Sequence, residues 1–134
     1  MTWPALHISR SSEADVASVV SIAGNPERLP EWAEGLSAGI RQESGRWVSD
    51  SPMGRVEVAF TGPVEHGLLD HAVTLPDGTV IHNPLRVLQN DAGSEIVFTL
   101  YRRDGVSDED FEADARQIER DLETLVSLVG RPGR

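Results

Sequence analysis

The segment from 107 to 130 constrains the fold more than any other part of the chain. Phe111, Ala115, Ile118, Leu122, Leu125 and Val129 recur at alternating steps of four and three residues, which places all six on one stripe of an α-helix. Ser107 is a suitable N-cap, and Asp108, Glu109 and Asp110 stand where the positive end of the helix dipole favours acidic groups. Gly130 and Pro132 close the segment, with Arg131 at its negative end. An apolar stripe of that length needs a partner surface. The residues before it read as strands and turns, so the expected partner is a curved antiparallel sheet. A helix laid across such a sheet leaves room for a pocket between them.

The strands are marked by their punctuation. Breaks at Gly45, Ser51-Pro52, Gly54, Gly62-Pro63, Gly67, Asp77-Gly78 and Asp91-Ala92-Gly93 delimit strand candidates over 38–43, 47–50, 55–60, 68–75, 79–89 and 94–103. Pro76-Asp77-Gly78 is the clearest hairpin turn. Leu6 and Ile8, alternating with His7 and Ser9, add a first strand. Two short helices follow it. Ser12 offers an N-cap, with Asp15 three residues on, for Val16, Val19, Val20 and Ala23. Pro30 fits the first turn of a second helix carrying Trp32, Ala33 and Leu36. Strands grouped together, with helices set apart, indicate an α+β domain over 1–134 with its core within about 5–130, not a doubly wound parallel sheet.

That order, together with several local phrases, resembles the SRPBCC superfamily of START/Bet v 1-like helix-grip proteins, which includes polyketide cyclases. The phrases are Asn25-Pro26-Glu27-Arg28-Leu29-Pro30-Glu31-Trp32, Gly67-Leu68-Leu69-Asp70-His71, Gly93-Ser94-Glu95-Ile96-Val97-Phe98 and the closing Asp121-Leu122-Glu123-Thr124-Leu125. The resemblance spans nearly the whole chain and speaks to fold more than to chemistry, because the superfamily shares no catalytic set. It implies a curved seven-stranded antiparallel sheet gripping the long C-terminal helix across its concave face, with an apolar cavity between them. No cofactor is expected.

Composition removes several function classes. Without cysteine there is neither a disulfide framework nor a thiol nucleophile. Without lysine there is no Schiff base and no Walker-type phosphate lysine, every basic side chain being arginine. A formal charge of −10 repels phosphate backbones and anionic membrane surfaces, so neither nucleic acid nor membrane is an expected partner. No apolar run approaches the roughly 20 residues that span a bilayer, and no signal-peptide pattern opens the chain, so the expected location is cytoplasmic.

Strand parity selects the candidate site. His71 shares a face with Leu69, Val73 and Leu75, and Asn83 shares one with Ile81, Leu85 and Val87; both are expected to face the cavity. His82 then points outward unless Pro84 introduces a bulge. Gln42 falls in phase with Ala38 and Ile40. His71 is the one candidate for chemistry, as a neutral imidazole whose pKa burial would lower; the competing reading is a core histidine satisfied by a carbonyl or by Asn83. Trp32 is expected near the cavity mouth, and Phe60, Phe98, Leu100, Ile118 and Leu122 along its wall. The string His66, Asp70, His71 invites a metal reading, but adjacent strand residues face opposite ways, so no metal site is expected. Asp121, at the edge of the helical stripe, could pair with Arg86 or Arg102.

Three functions fit this frame. The first is binding of a small hydrophobic ligand of the lipid, isoprenoid or aromatic polyketide class, oriented by His71, Asn83 and Gln42. The second is a cyclase-like enzyme without metal or covalent nucleophile, with His71 moving protons. The third is a protein-docking module resembling the Hsp90-activator branch. Homodimerisation through the outer sheet face or an edge strand is compatible with each.

Overall fold

In the computed structural model, which describes residues 1–130, eight strands precede the last helix. Strand β1 (Ala5–Ser12) leads into helix α1 (Val16–Ala23) and two 3-10 turns, Pro26–Glu31 and Glu34–Leu36. Strands β2 (Arg41–Glu43), β3 (Arg46–Ser51), β4 (Gly54–Phe60), β5 (His71–Thr74), β6 (Val80–Asn83), β7 (Leu85–Asn90) and β8 (Gly93–Tyr101) follow, and helix α2 (Asp108–Val129) closes the chain. All pairings are antiparallel, in the orders β1-β8-β7 and β2-β3-β4-β5-β6.

The two ladders are halves of one sheet. Leu68 bridges to Arg86, Leu69 N–H donates to the Leu85 carbonyl at 2.8 Å, and Val87 N–H donates to the Gly67 carbonyl at 2.9 Å. Gly67 permits this approach: its φ is +79°, and a Cβ there would meet the Val87 oxygen at 2.4 Å. The extra strand, against the seven expected, comes from Pro84. Lacking an N–H, proline interrupts the expected strand 79–89 and divides it into β6 and β7. Parity survives the break: Ile81 and Asn83 are half-buried, Leu85 and Val87 are buried, and His82 is exposed on the outer side.

The helical segments differ from expectation in their boundaries. Asp15, not Ser12, caps α1 by accepting from Ser18 N–H at 2.8 Å; Ser12 ends β1 and accepts from Ala14 N–H at 3.1 Å. The second short helix is a pair of 3-10 turns capped at Asn25, with Trp32 at the junction. Two prolines within six residues, Pro26 and Pro30, remove the donors a longer α-helix would use. Strand 38–43 is ordered as a ladder only over Arg41–Glu43.

Ser107 caps α2, accepting from Asp110 N–H at 3.1 Å. The helix packs closest on β1, β8 and α1. Arg10 of β1 reaches Glu119 and Glu123 at 3.3 and 3.2 Å, while Leu122, Leu125 and Val129 seal the core with Ile8, Val19, Ile22 and Ile96. The expected stop at Pro132 and the charge of Arg131 lie outside the described residues.

Candidate functional site

The concave side of β4, β5 and β6 carries two rows of side chains across the strands. Register aligns Phe60, His71 and Asn83 in one row and Val58, Val73 and Ile81 in the next. Phe98 approaches from β8, where it pairs with Leu85 and Ile8. Val58 is buried, but Phe60, His71, Val73, Ile81, Asn83, Phe98 and Leu100 are each only half-buried. The stripe of α2 divides in the same way: Ala115, Leu122, Leu125 and Val129 are buried, whereas Phe111 and Ile118 keep accessible surface. Because α2 rests on the β1–β8 side, the β4–β6 wall is left partly uncovered. The result is a row of inward-facing apolar side chains that keep part of their surface accessible.

His71 stands in the middle of that wall. Its ring meets Phe60 edge-on at 5.9 Å between centroids and Phe98 at 6.3 Å. Nδ1 lies 3.0 Å from the Leu69 carbonyl oxygen. A carbonyl can only accept, so this contact assigns the proton to Nδ1 and leaves a lone pair on Nε2. Burial lowers the imidazole pKa; the Leu69 contact and the charge of neighbouring Asp70 oppose it without cancelling it. At neutral pH the side chain is therefore an uncharged acceptor in an aromatic setting. It pairs with Asn83 in the ladder and hydrogen-bonds to a backbone carbonyl.

Asp70 takes the opposite side of the strand. Its carboxylate accepts from Leu85 N–H at 3.0 Å and from Arg86 Nε and Nη2 at 2.9 and 2.7 Å. The Arg86 hydrogen bonds lower its pKa against the effect of partial burial. The string that invited a metal reading thus disperses: Asp70 goes to Arg86, His71 turns inward and His66 is exposed.

The remaining sequence candidates separate into three groups. Phe60, Asn83 and Phe98 neighbour His71 on the inward face, and they, Leu100 and Ile118 are half-buried. Leu122 is 1% exposed and belongs to the core, with no surface left for a ligand. Gln42 is exposed on β2 opposite Trp47. Trp32 is buried, and its Nε1 is the one buried side-chain nitrogen or oxygen without a hydrogen-bond partner among the described residues. Such a donor carries a desolvation cost of about 1–3 kcal/mol.

Asp121 has neither of the partners considered for it. Arg86 pairs with Asp70, and Arg102 pairs with Asp108. Asp121 instead accepts from Glu34 N–H at 3.1 Å, tying the Trp32 segment to α2. Desolvation pushes its pKa up to about 6; the Glu34 N–H opposes that, and the Glu34 carboxylate adds to it. Sequence reasoning missed this role, for which no local signal exists.

A groove of about 570 Å³ opens beside the wall, lined by Trp47, Val58, Phe60 and Val64 and continuing around the strands to Ala72 and Thr74. A smaller pocket of about 120 Å³ lies at the other end of the His71 row, against Ile81, Asn83 and Leu100.

An antiparallel sheet that holds a long C-terminal helix on its concave side, with short helical segments after the first strand, is the helix-grip fold of Bet v 1-like proteins. Solved structures share it along nearly the whole chain. The protein XoxI from Bacillus cereus superposes with a TM-score of 0.71 at 12% identity, covering 93% of this chain and 94% of its own. An uncharacterised protein from Bacillus thuringiensis gives 0.74 at 13% identity, covering 94% and 98%. Ara h 8.0201, a Bet v 1 homologue, gives 0.63 at 11% identity, covering 94% and 97%. At these identities the likeness is one of fold. No protein-family model and no curated protein matches the sequence.

Proposed function

We propose that this protein binds a small hydrophobic molecule in the cleft between α2 and the β4–β6 wall. One observation carries the reading: Phe60, Val73, Ile81, Phe98, Leu100 and Ile118 occupy inward-facing positions of the sheet and helix yet keep accessible apolar surface. Covering such surface contributes about 25 cal/mol per Å². The adjoining groove of about 570 Å³ falls in the usual ligand range of roughly 300–1,000 Å³. The fold is one known to hold small hydrophobic ligands. His71 Nε2 and the Asn83 amide supply the few polar contacts that orient a ligand in such a site.

Binding fits these residues better than acid–base catalysis. A general base works in concert with a group that orients it or receives its proton. Here the Leu69 carbonyl orients the ring, but among the described residues no second polar side chain hydrogen-bonds to it to take part in proton transfer. Native mass spectrometry of protein purified from its own host, paired with uptake of a polarity-sensitive naphthalene dye, tests the proposal. A retained small molecule, or saturable dye uptake that an apolar competitor reverses, is the expected result. Protein that emerges empty and takes up no dye would overturn it.

A further inference from the structure

The sheet is open beyond Pro84. Thr99 N–H donates to the Pro84 carbonyl at 3.0 Å, and past that bond β6 and the end of β8 form no ladder. The 120 Å³ pocket occupies this gap, lined by Val80, Ile81, His82 and Asn83 together with Leu100, Tyr101, Trp3 and Arg103. Consecutive strand residues point to opposite faces. Val80, Ile81, His82 and Asn83 are consecutive on β6, the edge strand of its ladder, so the pocket lies along that strand's free edge, between the two faces of the sheet. Ile81, Asn83 and Leu100 bring it to the cleft; Val80, His82 and Tyr101 bring it to the outer surface.

The outer end carries a cation. The Arg103 guanidinium lies 5.7 Å from the Trp3 ring centre. Among the described residues, Arg103 and Arg116 are the arginines without an ion pair. The carboxyl of Asp77 is held below the usual range chiefly by its hydrogen bonds to Thr79, Arg103 adding least, and no ion pair joins Asp77 to Arg103. In a chain of net charge −10, an arginine stacked on an indole at a pocket edge, with no carboxylate on it, is a site for an anion from outside the chain.

We propose that this gap receives the carboxylate head of an amphiphilic ligand whose apolar part lies in the cleft, with Arg103 as its counter-ion. The inference rests on the cleft-binding reading and adds the chemical class of the ligand. A pocket of 120 Å³ holds a carboxylate and its first few carbons, and Ile81, Asn83 and Leu100 continue directly into the His71 row. His82 and the Asn83 amide flank the head as further polar partners. The ligand class is a monocarboxylic acid with a hydrocarbon or aromatic body.

Calorimetric titration with decanoate and with decanol, both below their aggregation limits, separates the two readings. Decanol tests the cleft, and the difference between the two tests the gap. Decanoate is expected to bind about tenfold more tightly, the scale of one hydrogen bond to a charged group, with a preference that shrinks as ionic strength rises. Arg103→Gln is expected to bring decanoate close to decanol, and Arg103→Lys to restore part of the difference, with circular dichroism confirming the fold of both. Equal affinities in the wild type, or a preference that survives Arg103→Gln, would overturn the anion site while leaving the cleft standing. Absence of binding by both probes would overturn both.

Discussion

At the scale of single residues, two half-buried titratable groups move in opposite directions and do different work. His71 is held neutral by burial, so its folded pKa lies below the unfolded one; the stability it contributes is present above the unfolded value and lost as pH falls through the folded one. Asp121 behaves in the reverse sense. Its carboxyl is pushed up to about 6 from 3.8, so the folded chain holds the proton more tightly than the unfolded chain does. Its contribution is complete below the unfolded value and is lost as pH rises through about 6, leaving a destabilising carboxylate at neutral pH. Asp121→Asn keeps an oxygen for Glu34 N–H and cannot ionise. The variant is expected to be more stable than the wild type at neutral pH, by on the order of 1 kcal/mol once partial exposure is allowed for. The advantage is expected to vanish below about pH 4. Urea denaturation across that range checks this; parallel curves for the two proteins would show that the carboxyl is not perturbed.

At the scale of elements, α2 is unevenly buried along one stripe. Ala115, Leu122, Leu125 and Val129 seal the core, while Phe111 and Ile118, on the same stripe, keep accessible surface. Substitutions are expected to divide accordingly. Leu125→Ala removes a fully buried side chain and is expected to cost about 2–5 kcal/mol in denaturant unfolding. Ile118→Arg, at a position with accessible surface, is expected to cost less than half as much and to abolish dye uptake by filling the cleft with a charge. If Ile118→Arg unfolds the protein as Leu125→Ala does, the two sets of positions are not distinct. The stripe itself was legible in the sequence because its period is local, as were the alternating sets of β4 and β8 and the inward face of His71. The division of the stripe was not, because it depends on α2 resting against β1 and β8, and Arg10 with Glu119 and Glu123 gives no sequence-local sign of that placement. The same holds for Leu122, which shares its periodicity with Ile118 yet lies in the core. Pro84 was visible as a ladder breaker, but the gap beyond it depends on where β8 runs.

At the scale of the whole molecule, the same sheet is sealed as core at one end and left half-open at the other. The β1-β8-β7 ladder is closed by α1 and the second half of α2, where Ile8, Ile96, Leu85 and Val87 are buried. The β4–β6 ladder keeps its concave row half-open. This asymmetry implies unequal local stability, since backbone hydrogen bonds near uncovered apolar surface open more readily than those beneath a packed helix. A ligand in the cleft adds its binding energy to the folded state alone. At a hundred times its dissociation constant the gain is about 2.7 kcal/mol, or roughly 8–10 °C in Tm for a domain of this size. Hydrogen exchange locates the gain. Decanol is expected to slow exchange most at the amides of β4, β5 and β6 and in the first half of α2, with little change in β1 and β7, which are already protected by the core. Uniform slowing across both ladders would mean that the ligand stabilises the molecule only through global unfolding. Slowing confined to the outer surface around Leu88 and Met53, both exposed apolar residues, would mean that it binds outside the cleft altogether.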